Sequence, residues 1–184
     1  MKKNYFIGIL ITASTLSFAQ NIPVDFETSG YGASWTWTVF ENSTNPSLQI
    51  VANPDPTGLN TSSTVARFIA LQAGNPWAGC ETMHGSDIGT FSIDTSNSII
   101  RIMVWKTKIS DVGIKLVTSS AASLGEIKVA NTLINQWEQL TFDFSAHIGG
   151  LAYDQLVVFP DFVARSANDT MYFDNVFGDA AYLG

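Results

Sequence analysis

The fold is decided by the stretch SIIRIMVWKT, residues 98–107, because its side chains alternate with a period of two. In an extended chain, the even-numbered residues from Ile100 to Val104 share one aliphatic face. Arg101 and Trp105 lie on the opposite face. This pattern predicts a β-strand that buries one side in a core.

Other segments have similar strand character, and Asn, Gly, Pro and Ser are frequent between them. We expect further strands at 35–41, 47–51, 64–71, 88–93, 112–117, 126–130, 139–144, 155–159 and 171–177. Residues 20–184 contain no long segment with helical periodicity. The sequence therefore predicts an all-β fold, a jelly-roll β-sandwich of the galactose-binding-like type with two antiparallel sheets.

The chain of 184 residues is expected to hold one domain. Residues 1–19 have a lysine-containing start, an apolar run and a small-residue end, which predict a cleavable signal peptide. We assign 20–178 to the β-sandwich and 179–184 to a tail or linker stub. The single cysteine, Cys80, excludes an intramolecular disulfide and lies far from the cleavage point, so we expect no lipid anchor. The protein is predicted to be secreted, periplasmic or at the cell surface.

The charge balance argues against two classes of partner. The sequence has 16 acidic and nine basic residues, for a net charge of −7. Nucleic acids and anionic membranes both favour clustered Lys and Arg. No segment is apolar over the length of about 20 residues that a membrane span requires. We therefore expect neither nucleic-acid binding nor membrane insertion.

Residues that commonly carry catalysis are sparse. Cys80 and His84 are four residues apart, but strand and turn signals surround them, so we interpret them as a small buried residue and a loop residue. The sequence has no Gly-rich phosphate loop and no Gly-x-Ser-x-Gly elbow. We expect no enzyme activity. A small jelly-roll polysaccharide lyase or hydrolase remains the enzymatic alternative.

Aromatic residues suggest a binding function instead. Sugar rings bury their C–H faces against flat aromatic rings, while charged and amide side chains bind the hydroxyl groups. On this basis we predict a carbohydrate site made by Trp37, Trp77, Trp105, Arg101 and Glu81. In the alternative interpretation all the tryptophans are core residues of an extracellular structural or adhesion domain. Tryptophan is also a large residue that sandwich cores often use.

Two acidic segments lie near the ends of the predicted domain, VDFE at 24–27 and MYFDNV at 171–176. Each is predicted to be a short strand. Glu27 and Asp174 are candidate ligands for a structural Ca²⁺, which takes six to eight oxygen ligands and would need backbone carbonyls to complete them. The alternative is that both are ordinary exposed acids.

These segments resemble parts of β-sandwich carbohydrate-binding modules of the family 4 and 22 type. VDFE, followed by a Gly-rich turn and Trp, is similar to their opening, and residues 172–176 resemble their last strand. Residues 137–142 resemble an inner strand. In that group the opening Glu and the closing Asp commonly serve a structural calcium, which implies this role for Glu27 and Asp174.

The order of four further segments, 35–37, 53–55, 76–81 and 110–115, resembles modules from marine Bacteroidetes. Those modules are often joined to family 16 glycoside hydrolases that act on laminarin and related β-1,3-glucans. The resemblance covers essentially all of residues 20–184, although each motif is short, and the Glu-x-Asp-x-x-Glu signature of the hydrolase does not occur. It implies a secreted, non-catalytic module for a β-glucan such as laminarin. Its partners would be a polysaccharide or oligosaccharide and a glycoside hydrolase acting on the same glycan.

Overall fold

The computed structural model describes residues 18–178. Most of the predicted signal peptide, residues 1–17, and the whole predicted tail, residues 179–184, lie outside the described residues. No helix within the described range is long and apolar enough to cross a membrane.

The described chain is built from strands. They are β1 (Phe18–Ala19), β2 (Trp37–Phe40), β3 (Gln49–Ala52), β4 (Thr64–Ala70), β5 (Gly79–Thr82), β6 (Phe91–Ser92), β7 (Ile99–Trp105), β8 (Asp111–Val117), β9 (Glu126–Ala130), β10 (Trp137–Asp143), β11 (Ala152–Tyr153), β12 (Gln155–Phe159) and β13 (Asp169–Asp174). One 3₁₀ turn, Ser145–His147, follows β10.

Two five-stranded antiparallel sheets face each other. The front sheet has the strand order β2-β5-β12-β8-β9, and the back sheet has the order β10-β7-β13-β4-β3. Strands β1, β6 and β11 form a small third sheet. The aliphatic face of β7 is buried against the inner residues of β8 in one core, which includes Ile100, Ile102, Val112, Ile114 and Leu116. The predicted all-β sandwich is confirmed.

One predicted strand is wrong, and one strand of the front sheet is missed. The segment VDFE is not a strand, because Phe26 has a positive φ of 52° and Val24 makes only an isolated bridge to Val176. That bridge nevertheless joins the two ends of the domain. The sequence also gives no indication of β5, which occupies a central place in the front sheet between β2 and β12.

Candidate functional site

The outer face of the front sheet carries a row of side chains that crosses all five strands. Antiparallel register sets its members side by side because each strand places alternate residues on this face. We call it the polar row; it comprises Thr38, Glu81, Val157, Lys115 and Glu126. Glu81 and Lys115 both oppose Val157, and Glu126 opposes Lys115 on the far side.

A second row runs beside the first and is mainly aromatic. Phe40 opposes Gly79, and Phe159 opposes Gly113. The glycines leave room for the rings: a Cβ at Gly79 would lie 2.8 Å from Phe40 Cζ, and one at Gly113 would lie 3.0 Å from Phe159 Cδ2. The two phenyl rings meet edge to face, with centroids 5.7 Å apart. We call this set the aromatic row.

Loops raise the sides of this face into a groove of about 670 Å³. Phe162, just beyond β12, packs against Phe159 with ring centroids 5.3 Å apart. Lys128 places its Nζ 4.3 Å from the centre of the Phe162 ring. Trp77 projects from the loop before β5 and remains 47% exposed. Aromatic surface is therefore presented to solvent beside the polar row.

The loop that carries Phe162 is fixed by a buried charge cluster. Asp161 has no exposed surface; it accepts a hydrogen bond from Arg165 Nε at 2.9 Å and pairs with Lys108 Nζ at 3.1 Å. Burial by itself would raise the pKa of Asp161, but a hydrogen bond from Ser110 and nearby lysine charges hold it below its usual value. Phe162 N–H also donates to the Asp111 carbonyl at 2.8 Å.

Arg165 links this loop to the loop that carries Trp77. Its Nη2 donates to the carbonyl of Asp161 at 2.9 Å, and its Nη1 donates to the carbonyl of Asn75 at 3.0 Å. Because one guanidinium spans both loops, the positions of Phe162 and Trp77 are coupled. The groove is thus held in place from two sides.

The ionisable groups in the groove are mainly acidic. Burial raises the pKa of Glu81, and the charges of His84 and Lys115 offset part of this shift. His84 Nδ1 lies 2.7 Å from Oδ1 of Asp154, a largely buried carboxylate. The Glu81 carboxylate therefore sits in a partly apolar setting, where hydrogen bonds to a ligand are stronger than in water.

The structure brings together two of the five predicted carbohydrate-binding residues. Trp77 and Glu81 both line the groove. Trp37 faces the interior with Val39: its ring packs against the core, and its Nε1 donates to the Gly32 carbonyl at 2.9 Å. The sequence does not distinguish the two faces of β2, since both carry large side chains.

The other two predicted residues lie on the outer face of the back sheet. Trp105 meets Tyr172 edge to face at 5.5 Å, in a small apolar cluster with Met103 and Trp137. Arg101 lines a separate cleft of about 290 Å³. Because the two sheets present opposite surfaces, one ligand chain in the groove cannot also contact these residues.

Several residues of the groove are not among the carbohydrate-binding residues predicted from the sequence, above all Phe40, Phe159, Phe162 and Lys115. The segment QLVVF at 155–159 is apolar at almost every position, so it is typical of a strand buried on both faces. In the structure every residue of β12 is indeed buried, and Val157 and Phe159 form the floor of the groove. Both are largely buried by neighbouring side chains.

Glu27 and Asp174, the predicted metal ligands, both accept hydrogen bonds from the loop at 60–64. Glu27 Oε1 accepts hydrogen bonds from the backbone N–H groups of Ser63 and Thr64. Asp174 Oδ2 accepts a hydrogen bond from Asn60 Nδ2 at 2.9 Å. Glu27 and Asn60 line one cleft of about 240 Å³. Asp174 is therefore not an exposed acid, as its side chain is completely buried.

Asp174 is a buried carboxylate with a raised pKa and no basic partner among the described residues. Burial raises its pKa to about 7, with Asp25 adding to the shift and hydrogen bonds from Ser62 and Asn60 opposing it. No ion pair joins Asp174 to a basic side chain within 18–178. The same residues contain no cluster of three His, Cys, Asp or Glu side chains suited to a metal. Asp25 lines the same cleft, so further ligands for a cation here would come from its carboxylate and from hydroxyl, amide or backbone oxygens.

Comparison with known proteins identifies the fold. No family model and no curated protein matches the sequence. An arabinose-bound GH51 α-L-arabinofuranosidase matches with a TM-score of 0.57 and 15% identity over 86% of this chain, which spans 25% of that enzyme. A family 29 carbohydrate-binding module variant matches with a TM-score of 0.50 and 11% identity, covering 84% of this chain and 87% of the module.

A structure of carbohydrate-binding modules from the β-sandwich superfamily also matches, with a TM-score of 0.50 and 9% identity. It covers 89% of this chain and 63% of that one. Identities this low establish a shared fold alone. The chain has the β-sandwich fold that these carbohydrate-binding modules also have.

Proposed function

We propose that this protein is a secreted, non-catalytic carbohydrate-binding module whose ligand lies in the groove of the front sheet. The observation that carries the proposal is the placing of the aromatic row directly beside the polar row. Phe162 and the exposed ring of Trp77 offer apolar surface to sugar C–H groups, and the largely buried Phe159 supports them from the floor of the groove. Glu81 and Lys115 offer an acceptor and a donor to the hydroxyl groups of the same sugars.

The ligand we propose is a β-glucan such as laminarin, recognised beside a glycoside hydrolase that acts on the same glycan. The resemblance of the sequence segments to modules of laminarin-degrading systems supports this choice. Stacking gains are offset by the ordering of flexible sugars and side chains. We therefore expect an affinity of about 6 to 8 kcal/mol, in the micromolar range or weaker.

Affinity electrophoresis in gels containing laminarin, xylan, alginate or hydroxyethylcellulose tests the proposal. We expect retardation on at least one glycan and its loss in Trp77→Ala. Trp105→Ala removes a tryptophan from the back sheet and serves as the matched control, with retardation kept. Retardation on no glycan would contradict the proposal and favour the adhesion alternative. Loss in Trp105→Ala alone would place the site on the other sheet.

A reducing-end assay on the same glycans tests the absence of catalysis. We expect no release of sugar ends above the background of a heat-denatured sample. Release that a single substitution such as Glu81→Gln abolishes would show that the groove is an active site.

We further propose that Glu27 and Asp174 help to hold a structural Ca²⁺. A buried carboxylate without a basic partner supports this, since burying an uncompensated charge is costly. A hard cation in the cleft would compensate it, and oxygen atoms of the 60–64 loop could supply further ligands. Such an ion would fasten the segment after Val24 to the end of β13.

Thermal unfolding with and without a chelator tests the calcium proposal. We expect EDTA to lower the Tm and added Ca²⁺ to restore it. Asp174→Asn keeps the shape of the side chain but removes its charge and replaces one acceptor oxygen by an NH2 donor. The Tm of this variant should be lower than that of the unmodified protein and should not respond to EDTA. Asp143→Asn, an exposed change on β10, should respond like the unmodified protein. A Tm that ignores EDTA in the unmodified protein would contradict the proposal.

A further inference from the structure

We propose that the groove selects uncharged glycan chains that lie across the strands and that it rejects chains bearing carboxylate or sulfate groups. This inference rests on the proposed function of the groove and names the chemical class of its ligand. Its basis is the direction of the two rows and the identity of the charges along them.

The direction follows from the register. The polar row and the aromatic row both run at right angles to the strands. The polar row reaches from β2 at one edge to β9 at the other, and the aromatic row reaches from Phe40 on β2 to Gly113 on β8, beside Lys128 on β9. Four strand spacings give a length of about 19 Å. A chain of sugars laid along this direction meets the polar row over its whole length and the phenyl rings of β2 and β12. A chain laid along the strands would leave the aromatic row after one or two sugars.

The charges in the groove are mostly negative. Three carboxylates, those of Glu41, Glu81 and Glu126, line it, against the single lysine Lys115. Among the lining residues His84 is the only other basic group, and it already contacts the Asp154 carboxylate at 2.7 Å. Anionic groups therefore outnumber the cations available to a ligand.

Lys115 lies between two acidic residues of the polar row. It directly opposes Glu126 in the register, and Glu81 lies on its other side beyond Val157. Its positive charge acts on Glu81, whose pKa it lowers, so part of that charge is already offset within the groove. Lys128, at the end of the aromatic row, has its ammonium over the Phe162 ring. An anionic group that approached Lys115 would therefore also approach the carboxylates on either side of it.

An anionic ligand would meet like charges at close range above an apolar floor, where screening by water is weakest. The net charge of −7 adds a weaker, longer-range repulsion. The hydroxyl groups of an uncharged sugar have no such penalty, because they can donate to the carboxylates. The groove thus combines acceptors for neutral sugars with a barrier to acidic ones.

The experiment compares each retarding neutral glycan with its own carboxymethyl derivative, for example hydroxyethylcellulose with carboxymethylcellulose and laminarin with carboxymethyl-laminarin. At low salt we expect at least tenfold weaker binding to the carboxymethyl form. The difference should shrink at 0.5 M NaCl, because salt screens repulsion but does not relieve a steric clash.

Charge variants distinguish electrostatic repulsion from steric exclusion of the carboxymethyl groups. Glu126 is exposed at the edge strand β9, so Glu126→Gln and Glu126→Lys should fold normally. We expect both to raise the ratio of carboxymethyl to neutral binding, the lysine variant more, whatever binding to the neutral polymer loses with this member of the polar row. Asp143→Asn makes the same charge change as Glu126→Gln but on the back sheet, and it should change neither.

The outcomes are distinct. Equal or tighter binding to the carboxymethyl polymers, or retention on alginate alone, would overturn the inference while leaving glycan binding in place. Preference for neutral polymers that neither salt nor the Glu126 variants alter would also overturn it, because charge would not be the cause. Retention on no glycan would overturn the proposed function and this inference together.

Discussion

Two glycines determine how deep the aromatic row lies on the front sheet. Gly79 and Gly113 stand where a Cβ would strike the rings of Phe40 and Phe159. Neither requires a positive φ, so the reason for glycine is space and not backbone conformation. The sequence shows the glycines but not the rings above them, since the pairing of β12 with both β5 and β8 is a long-range property of the fold.

We predict that Gly113→Ala tilts the Phe159 ring and damages the floor of the groove. The added Cβ would lie 3.0 Å from Phe159 Cδ2, a contact that forces the ring to move. Overpacking of this kind costs about 1–3 kcal/mol of stability. Urea unfolding should show that loss, and glycan retardation should fall severalfold at temperatures where the variant is folded. Unchanged retardation would mean that Phe159 is not part of the binding surface.

At the scale of elements, the sequence predicts strands where one face is aliphatic and the other is not. The alternation of residues 98–107 and 112–117 predicts strands whose ends agree with those of β7 and β8 to within one or two residues. Strand β5 is missed because it is short, begins with the small residues Gly79 and Cys80, and is preceded by turn residues. The pattern at 24–27 fails in the opposite way, since alternation is present but Phe26 has a positive φ.

The loops around the groove depend on one arginine. Arg165 donates to the carbonyls of both Asp161 and Asn75, which precede Phe162 and Trp77 along the chain. We predict that Arg165→Lys weakens glycan binding, because an ammonium cannot reproduce the planar fork of the guanidinium. Arg67→Lys, on the outer face of the back sheet, is the matched control and should bind normally.

Gel retardation and Tm are measured on both arginine variants. We expect a lower Tm and severalfold weaker retardation for Arg165→Lys, and little change in either for Arg67→Lys. Loss of stability without loss of binding would show that Arg165 supports the fold but does not position Phe162 and Trp77.

At the scale of the whole molecule, the candidate calcium site and the groove belong to different surfaces. Asp174 is the last residue of β13 in the back sheet, and its side chain accepts a hydrogen bond from Asn60 in the 60–64 loop. The polar row lies on the outer face of the front sheet. The sequence suggests both kinds of site, yet it places Trp105 and Arg101 beside Trp77, because it cannot assign a strand face to one sheet or the other.

This separation predicts that calcium affects stability but not recognition. EDTA should lower the Tm while leaving glycan retardation unchanged at 15 °C, where the protein is still folded. The matched measurement is the Asp174→Asn variant, which should bind glycan like the unmodified protein. A loss of retardation in EDTA from a sample that remains folded would place a cation at the groove instead.

The central claim is that a glycan occupies the groove of the front sheet, and NMR titration tests it most directly. The indole N–H signals of the five tryptophans are followed as laminarihexaose, or an oligosaccharide of whichever glycan retards the protein, is added. We predict that the indole signal of Trp77 and the backbone amides of Glu81 and Lys115 shift, while the Trp105 indole does not. Shifts centred on Trp105 and Arg101, with Trp77 unchanged, would contradict the account.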